Sequence, residues 1–433
     1  MANTPNLHIA DCIETLRTLD AESVDACVTD PPYHLTSIVK RFGSDNAAPV
    51  KDGVYSRASK GFMGYTWDGG DIAHDPDMWG EVLRVLKPGA YLVSFSATRT
   101  YHRMACAIEA AGFDVRDMIN YLYGSGFPKS KNDGHGRGTA LKPSHEPMVL
   151  AQKPRQGAYA ENDAAHGTGY LNIDAARVPL NGEKPPVSAA KVRADAGIFS
   201  KSNWQDRGER PGHENGRWPA NVCHDGSDVV LAELPETSAE RTRVKINNKP
   251  QEKDSLGWAH PGMTSMVWGG CGNAARFFYC AKPSMREKEA GLDGFSTDLK
   301  PKIKEKVERN LIVNPATMGY TCGGTTPRRN THATIKPIEL MRWLIRLVVP
   351  HGGVVLDPFL GSGTTAIAAV LENRPWIGIE REAEYAAIAQ ARVDWWAAQH
   401  KSRGGRSVAE ILGDVPKSVQ SPNNMDLFAN ASQ

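Results

Sequence analysis

Two strand-to-loop junctions more than 300 residues apart constrain this chain most. Val24-Asp25-Ala26-Cys27-Val28-Thr29 reads as an apolar strand running into Asp30-Pro31-Pro32-Tyr33. Val354-Val355-Leu356-Asp357 reads as a second strand, running into Pro358-Phe359-Leu360-Gly361-Ser362-Gly363-Thr364-Thr365. Open α/β sheets bind ligands at the carboxyl ends of their strands, so both junctions point to an α/β fold with ligand-facing loops.

The rest of the chain falls into place around them. From Leu7 to about Arg155 strands alternate with helices: strands at Val24–Thr29, Tyr91–Ser96 and Val115–Leu122, helices at Asp77–Leu86 and Arg99–Ala110. The first helix carries Met78, Val82, Leu83 and Leu86 on one side and stops at Lys87-Pro88-Gly89. This alternation predicts a covered, largely parallel sheet. It returns with a helix at Pro337–Val349, a strand at Val354–Asp357, a helix at Thr364–Glu372, a strand at Trp376–Ile379 and a helix at Glu382–Trp396. Between the two halves the chain is rich in Gly, Pro, Asn and charge. Residues 241–330 hold 16 Lys or Arg against 8 Asp or Glu, although the whole chain is only +2. The expected division is 1–155 and 328–400 as two halves of one domain, 156–327 as an inserted region and 401–433 as a polar tail.

A net charge this mild diagnoses no polyanion partner by itself, so any nucleic-acid reading rests on the local excess and on motifs. Seven cysteines without CxxC spacing signal neither a disulfide framework nor a zinc site. Cys223-His224 with Cys271 and Cys280 has no metal-site spacing; those cysteines read as packing residues in a reducing cytoplasm, and no metal is expected. Met1-Ala2-Asn3-Thr4-Pro5 lacks a basic, apolar leader, and no run of about 18 apolar residues marks a membrane span.

Gly361-Ser362-Gly363-Thr364-Thr365-Ala366 satisfies GxGxxA between a strand and a helix, with Glu380 at the next strand end, 17 residues beyond Gly363. Small residues let backbone approach a ligand, helix N-terminal N–H groups hold a carboxylate, and the acidic side chain accepts ribose hydroxyls. A bare tight turn would use the same glycines; Asp357, Pro358 and Phe359 before them favour a nucleoside. S-adenosylmethionine and NAD both meet the requirement. In the other loop, the Asp30 carboxylate and the Pro31 carbonyl can accept two hydrogens from one amine. Pro31 and Pro32 stiffen the backbone, and Tyr33 offers an aromatic face for a flat ring. Trp67-Asp68 reads either as a closing element or as packing.

With these residues the chain resembles the amino-methylating (N6-adenine or N4-cytosine) site-specific DNA methyltransferases. It is similar to their permuted, beta-type group, in which the catalytic motif precedes the recognition region and the cofactor loop comes last. The resemblance extends to Asp11-Cys12-Ile13-Glu14-Thr15-Leu16, Gly124-Ser125-Gly126-Phe127-Pro128-Lys129-Ser130, His145-Glu146-Pro147 and Asn330-Thr331-His332-Ala333-Thr334-Ile335-Lys336-Pro337, about half the chain. Ala333 stands where proline is usual. The resemblance implies a Rossmann-like S-adenosylmethionine-dependent fold in circularly permuted order. It implies that Asp30, Pro31, Pro32 and Tyr33 carry the chemistry on a base flipped from double-stranded DNA. Asp11 would lie near the cofactor adenine and Glu380 on its ribose. His332, Thr334 and Lys336 would line the methionine end with Gly361, Ser362, Gly363 and Thr364, and Asp30, Asp357 and Phe359 would border the cofactor. Residues 156–327 would read the target, Arg, Lys and Asn at base edges and excess charge at phosphates.

Within that family an aspartate first in the tetrapeptide fits adenine N6, because N4-cytosine enzymes more often carry serine; N4-cytosine is the runner-up. Glutamine-methylating relatives usually begin with asparagine, and RNA is a further substrate class. A catalytically silent DNA-binding regulator is the alternative from another class, which the intact Asp30, Tyr33, Gly361 and Gly363 disfavour. The resemblance also implies a homodimer and a bacterial or phage-encoded cytoplasmic enzyme. Asn424-Met425-Asp426-Leu427-Phe428 is similar to the hydrophobic peptides that dock on the sliding clamp, with Asn424 in place of the usual glutamine.

Overall fold

The computed structural model describes residues 7–33, 71–126, 133, 135–183, 187–193, 204–211, 213–237, 272–281, 284–295, 329–332, 334–403 and 407–413. Trp67-Asp68, Phe127–Ser130, Ala333, most of the basic stretch 241–330 and the 424–428 segment lie outside the described residues.

Nine of the described strands form one sheet: β1 (Leu7–Ile9), β2 (Val24–Thr29), β3 (Leu86–Phe95), β4 (Asp114–Leu122), β5 (His145–Gln152), β6 (Val222–His224), β7 (Tyr279–Cys280), β8 (Val355–Asp357) and β9 (Trp376–Glu380). Their spatial order is β1-β9-β8-β2-β3-β5-β4-β6-β7. Every neighbouring pair is parallel except the two that flank β5, which runs against the rest. The permuted order is visible here: β8, late in the chain, pairs with β2, early in it, Cys27 lying opposite Leu356. Asp25 clips the same seam, accepting the Val354 N–H at 2.7 Å and the Lys87 ammonium at 2.6 Å.

Alternation along the strands sorts side chains onto two faces, as a period of two requires. Ala26, Val28, Val93, Phe95, Met148 and Leu150 face a core shared with α5 (Ile338–Val348) and α6 (Thr364–Leu371). Cys27, Leu92, Val149 and Leu356 face the other, shared with α1 (Cys12–Thr18), α2 (Pro76–Val85) and α3 (Tyr101–Ala110). Asp75 caps α2 by accepting the Asp77 N–H, and Pro76 occupies the first turn, where its missing N–H costs nothing. Its buried face is Met78, Trp79, Val82 and Val85; Leu83 is only partly buried, and Leu86 opens β3. A fourth helix, α4 (Tyr159–His166), anchors to β3 through Asn162, whose amide donates to the Pro88 carbonyl at 2.9 Å.

The sheet is largely parallel, as expected, but one strand escapes the sequence reading: His145–Gln152 inserts antiparallel between β3 and β4, and Pro147 near its start disguises it, proline being rare within central strands. Two boundaries also shift. The segment 156–327 is not separate throughout: β6 and β7 extend the sheet, and Ala176, Cys223 and Ala281 join the main core. The tail does not begin at 401 either. The last helix of the main body, α7, runs Ala383–Arg403, and after it a short helix at Val408–Leu412 buries Val408, Ile411 and Leu412. A capping box, Ser407 with Glu410, starts that helix and is legible in the sequence. Among the described residues no helix is long and apolar enough to cross a membrane.

Candidate functional site

Because β2 and β8 are parallel neighbours, their carboxyl ends deliver the two loops side by side. Thr29, the last residue of β2, donates to Asp357 Oδ1 at 2.6 Å across the seam, and the Thr365 hydroxyl donates to Oδ2 at 2.5 Å. The Phe359 N–H completes the set at 3.0 Å. Asp357 is therefore a brace: buried and surrounded by neutral donors. Burial pushes its carboxyl up to about 6, with the hydrogen bonds pulling the other way.

The glycine turn follows at once. Gly361 and Gly363 have φ of +56° and +84°, the left-handed region that L side chains seldom adopt. Close packing adds a second constraint. A Cβ on Gly361 would stand 2.8 Å from His332 Nε2, and one on Gly363 3.0 Å from the Ala389 Cα. At the end of β9, Glu380 accepts the Gly361 N–H at 2.8 Å on one oxygen and the Glu382 N–H at 2.8 Å on the other. Burial raises its carboxyl to about 7. Ser362 is held from below: the buried Arg392 guanidinium donates to its carbonyl and, at 3.1 Å, to its hydroxyl, and also to the Glu287 carbonyl. His332 packs edge-on against Tyr385 with ring centroids 4.8 Å apart, and its Nδ1 accepts the Thr334 N–H at 3.4 Å. Burial lowers His332 to about 4, so the imidazole is neutral at physiological pH.

The Asp30 loop is charged where the turn is neutral. Tyr33 donates its hydroxyl to Asp30 Oδ1 at 2.7 Å. Lys336 stands against the other oxygen, 2.8 Å from Oδ2, and donates to the Tyr33 hydroxyl at 2.9 Å. It also lies 3.3 Å from Glu146 Oε2, with the Phe95 ring centroid 4.9 Å away. Burial alone would lower it, but the two carboxylates outweigh that and hold Lys336 above the usual lysine range. Burial, reinforced by Asp30 and Glu146, likewise keeps the Tyr33 phenol protonated.

The structure thus brings together Asp30, Pro31, Pro32, Tyr33, His332, Thr334, Lys336, Asp357, Phe359, Gly361, Ser362, Gly363, Thr364 and Glu380 along one edge of the sheet. Lys336 lies on the Asp30 side of that edge. Asp11 is exposed and caps α1, accepting the Ile13 and Glu14 N–H groups at 2.9 and 3.2 Å. It reaches the same edge because Ile9 pairs with Glu380. Sequence reasoning set Thr365 and Glu146 within motifs but assigned them no role, and it gave no part to Thr29 or Arg392. Arg392 had a signal, a cation spaced with Ile388, Ala389 and Trp396 on the apolar side of α7. Thr29 had none, since its partner is 328 residues away.

A family model described as DNA methylase, of the N6/N4 type, matches residues 24–391. Type II methyltransferase M.HindIII of Haemophilus influenzae is 21% identical over 389 residues, covering 87% of this chain and 90% of that one. Type II methyltransferase M.BglI of Bacillus subtilis is 42% identical over 91 residues, covering 21% of this chain and 26% of that one. Among solved structures, the M1.HpyAVI–SAM complex is similar at 16% identity and a TM-score of 0.36, covering 89% of this chain and 98% of that one. The match to the family model runs from the strand that feeds Asp30 to the helix that packs on Gly363, and by it the chain belongs to the N6/N4-type DNA methylase family.

Proposed function

We propose that this DNA methyltransferase acts on N6 of an adenine flipped out of double-stranded DNA. The observation that carries the reading is the juxtaposition of Asp30 with the glycine turn across the β2–β8 seam. An exocyclic amine is a poor nucleophile because its lone pair is delocalised into the ring. Asp30 and the Pro31 carbonyl accept its two hydrogens and localise the pair on nitrogen, while Tyr33, its hydroxyl fixed on Asp30, gives the base a ring to lie against. Aspartate rather than serine at the first position supports adenine over cytosine.

The residues fit S-adenosylmethionine. Gly361 and Gly363, both at positive φ, present backbone without side chains at the turn, and each Glu380 oxygen, engaged by one N–H, keeps a lone pair for a ribose hydroxyl. In this reading Ser362, Gly363 and Thr364 at the start of α6 hold the carboxylate, with His332 and Thr334 beside them, and Asp11 lies toward the adenine. When bound, the cofactor supplies a methyl group activated on a sulfonium. Residues 156–327 supply the target-reading surface.

The test is to incubate the purified protein with unmethylated genomic DNA and labelled S-adenosylmethionine, then identify the product by nucleoside mass spectrometry and modification-sensitive sequencing. N6-methyladenine at one short motif is the expected product. N4-methylcytosine would overturn the choice of base.

A further inference from the structure

Strand β5 is the one strand of the sheet that runs backwards, so its first residues, not its last, arrive at the edge where Asp30 lies. That reversal puts Glu146 into the site. Its carboxylate lies 3.3 Å from the Lys336 ammonium, while that of Asp30 lies 2.8 Å from it. Tyr33 occupies the ammonium's third bond. Two carboxylates therefore divide one cation in a site where Lys336 is almost wholly withdrawn from water, so its charge is poorly screened and its partition matters.

The partition bears directly on Asp30. Both of its oxygens already carry a donor, Tyr33 on Oδ1 and Lys336 on Oδ2. Each oxygen keeps a lone pair for a further donor, but an ammonium held on Asp30 alone polarises the carboxylate toward itself and weakens it as an acceptor for a neutral aromatic amine. We propose that Glu146 is a positioning residue for methyl transfer: it draws the Lys336 ammonium part-way off Asp30 and so leaves Asp30 able to accept a hydrogen from the substrate amine. This role rests on the amino-methylating reading above. Lys336 in turn holds Asp30 and Tyr33 in place, and Glu146 sets how tightly it does so. Glu146 acts through its contact with Lys336.

The test is a double-mutant cycle in the full chain, read by single-turnover methyl incorporation into genomic DNA and by S-adenosylmethionine binding. Glu146→Gln, which keeps the shape and removes the charge, should slow methyl transfer about 10- to 100-fold, the scale seen when a group that orients a reacting residue is lost. Its cofactor Kd should stay at the wild-type value. Glu146→Asp should recover part of the rate. The discriminating measurement is Glu146→Gln in a Lys336→Met background, where there is no ammonium left to divide and the glutamine substitution should add no further loss. A full wild-type rate in Glu146→Gln, or an undiminished loss in the Lys336→Met background, overturns the role while leaving the enzyme reading intact. A wild-type protein that incorporates methyl groups into no DNA overturns both. A weaker cofactor Kd in Glu146→Gln shows a merely structural residue and overturns the role as well.

Discussion

Asp357 and Glu380, at the ends of β8 and β9, accept only from hydroxyls and backbone N–H groups, whereas Asp30 and Glu146 share an ammonium. Neutral donors fix a carboxylate's geometry but compensate its burial incompletely, and the carboxyls of Asp357 and Glu380 rise to about 6 and about 7. The Asp30 loop instead has its counter-charge beside it in Lys336. One half of the site is built as a mould whose shape comes from glycine backbone and braced turns; the other is built as an electrostatic arrangement. Substitutions in the two halves should therefore fail in different ways.

The sharpest contrast comes from Asp30→Ala. Transfer should fall by about 1,000-fold or more, since the acceptor for the amine is gone, while cofactor binding by calorimetry stays near the wild-type value. Substantial turnover would break the comparison at its centre. Gly361→Ala should do the reverse. The left-handed backbone costs an L residue about 1–2 kcal/mol, and the new methyl must displace His332, so cofactor affinity should drop by about tenfold or more. Saturating cofactor should restore much of the rate.

Glu380 gives a smaller effect with a distinctive pH signature. Its carboxyl is raised in the folded protein, so the folded state holds a proton that the unfolded chain has released. The stability tied to that proton is present below the ordinary glutamate value and lost as pH rises toward 7. Cofactor affinity should move oppositely, tightening across pH 6 to 8 as the carboxylate forms and accepts ribose hydroxyls. In Glu380→Gln binding should be weaker and the pH dependence near 7 should flatten; an unchanged slope would assign it to another group. The mildest change is Ser407→Ala, remote from both halves. Losing its capping box should cost about 1 kcal/mol in thermal stability and leave kcat alone.

Local signals carried well into the structure: strand, turn and helix around Gly361 needed only small residues in sequence, and the Asp30 loop follows its strand as the pattern indicates. What failed was whatever depends on distant partners. β5 contains a proline that local rules count against a central strand, yet the ladders on both sides hold it. Lys336 is expected at the methionine end of the cofactor, and its pairing with Asp30 and Glu146 is not legible because neither is near it in sequence. Asp11 shows the opposite limit: its cap is fully explained by Ile13 and Glu14 a few residues on, and local geometry alone gives it no other work.

The pairing of Cys27 with Leu356 has a consequence for how the protein is made. During synthesis β2 emerges early with one edge unsatisfied, and its neighbour is translated only after most of the chain. Contacts this distant are slow to form and leave a strand edge open to other chains in the interval. Chains stalled on the ribosome before residue 354 should accordingly be cleaved readily by protease around β2. The permutation that sets the Asp30 loop beside the glycine turn thus also sets the order of assembly: the two loops can meet only once the strand at Val355–Asp357 and the turn after it have left the ribosome.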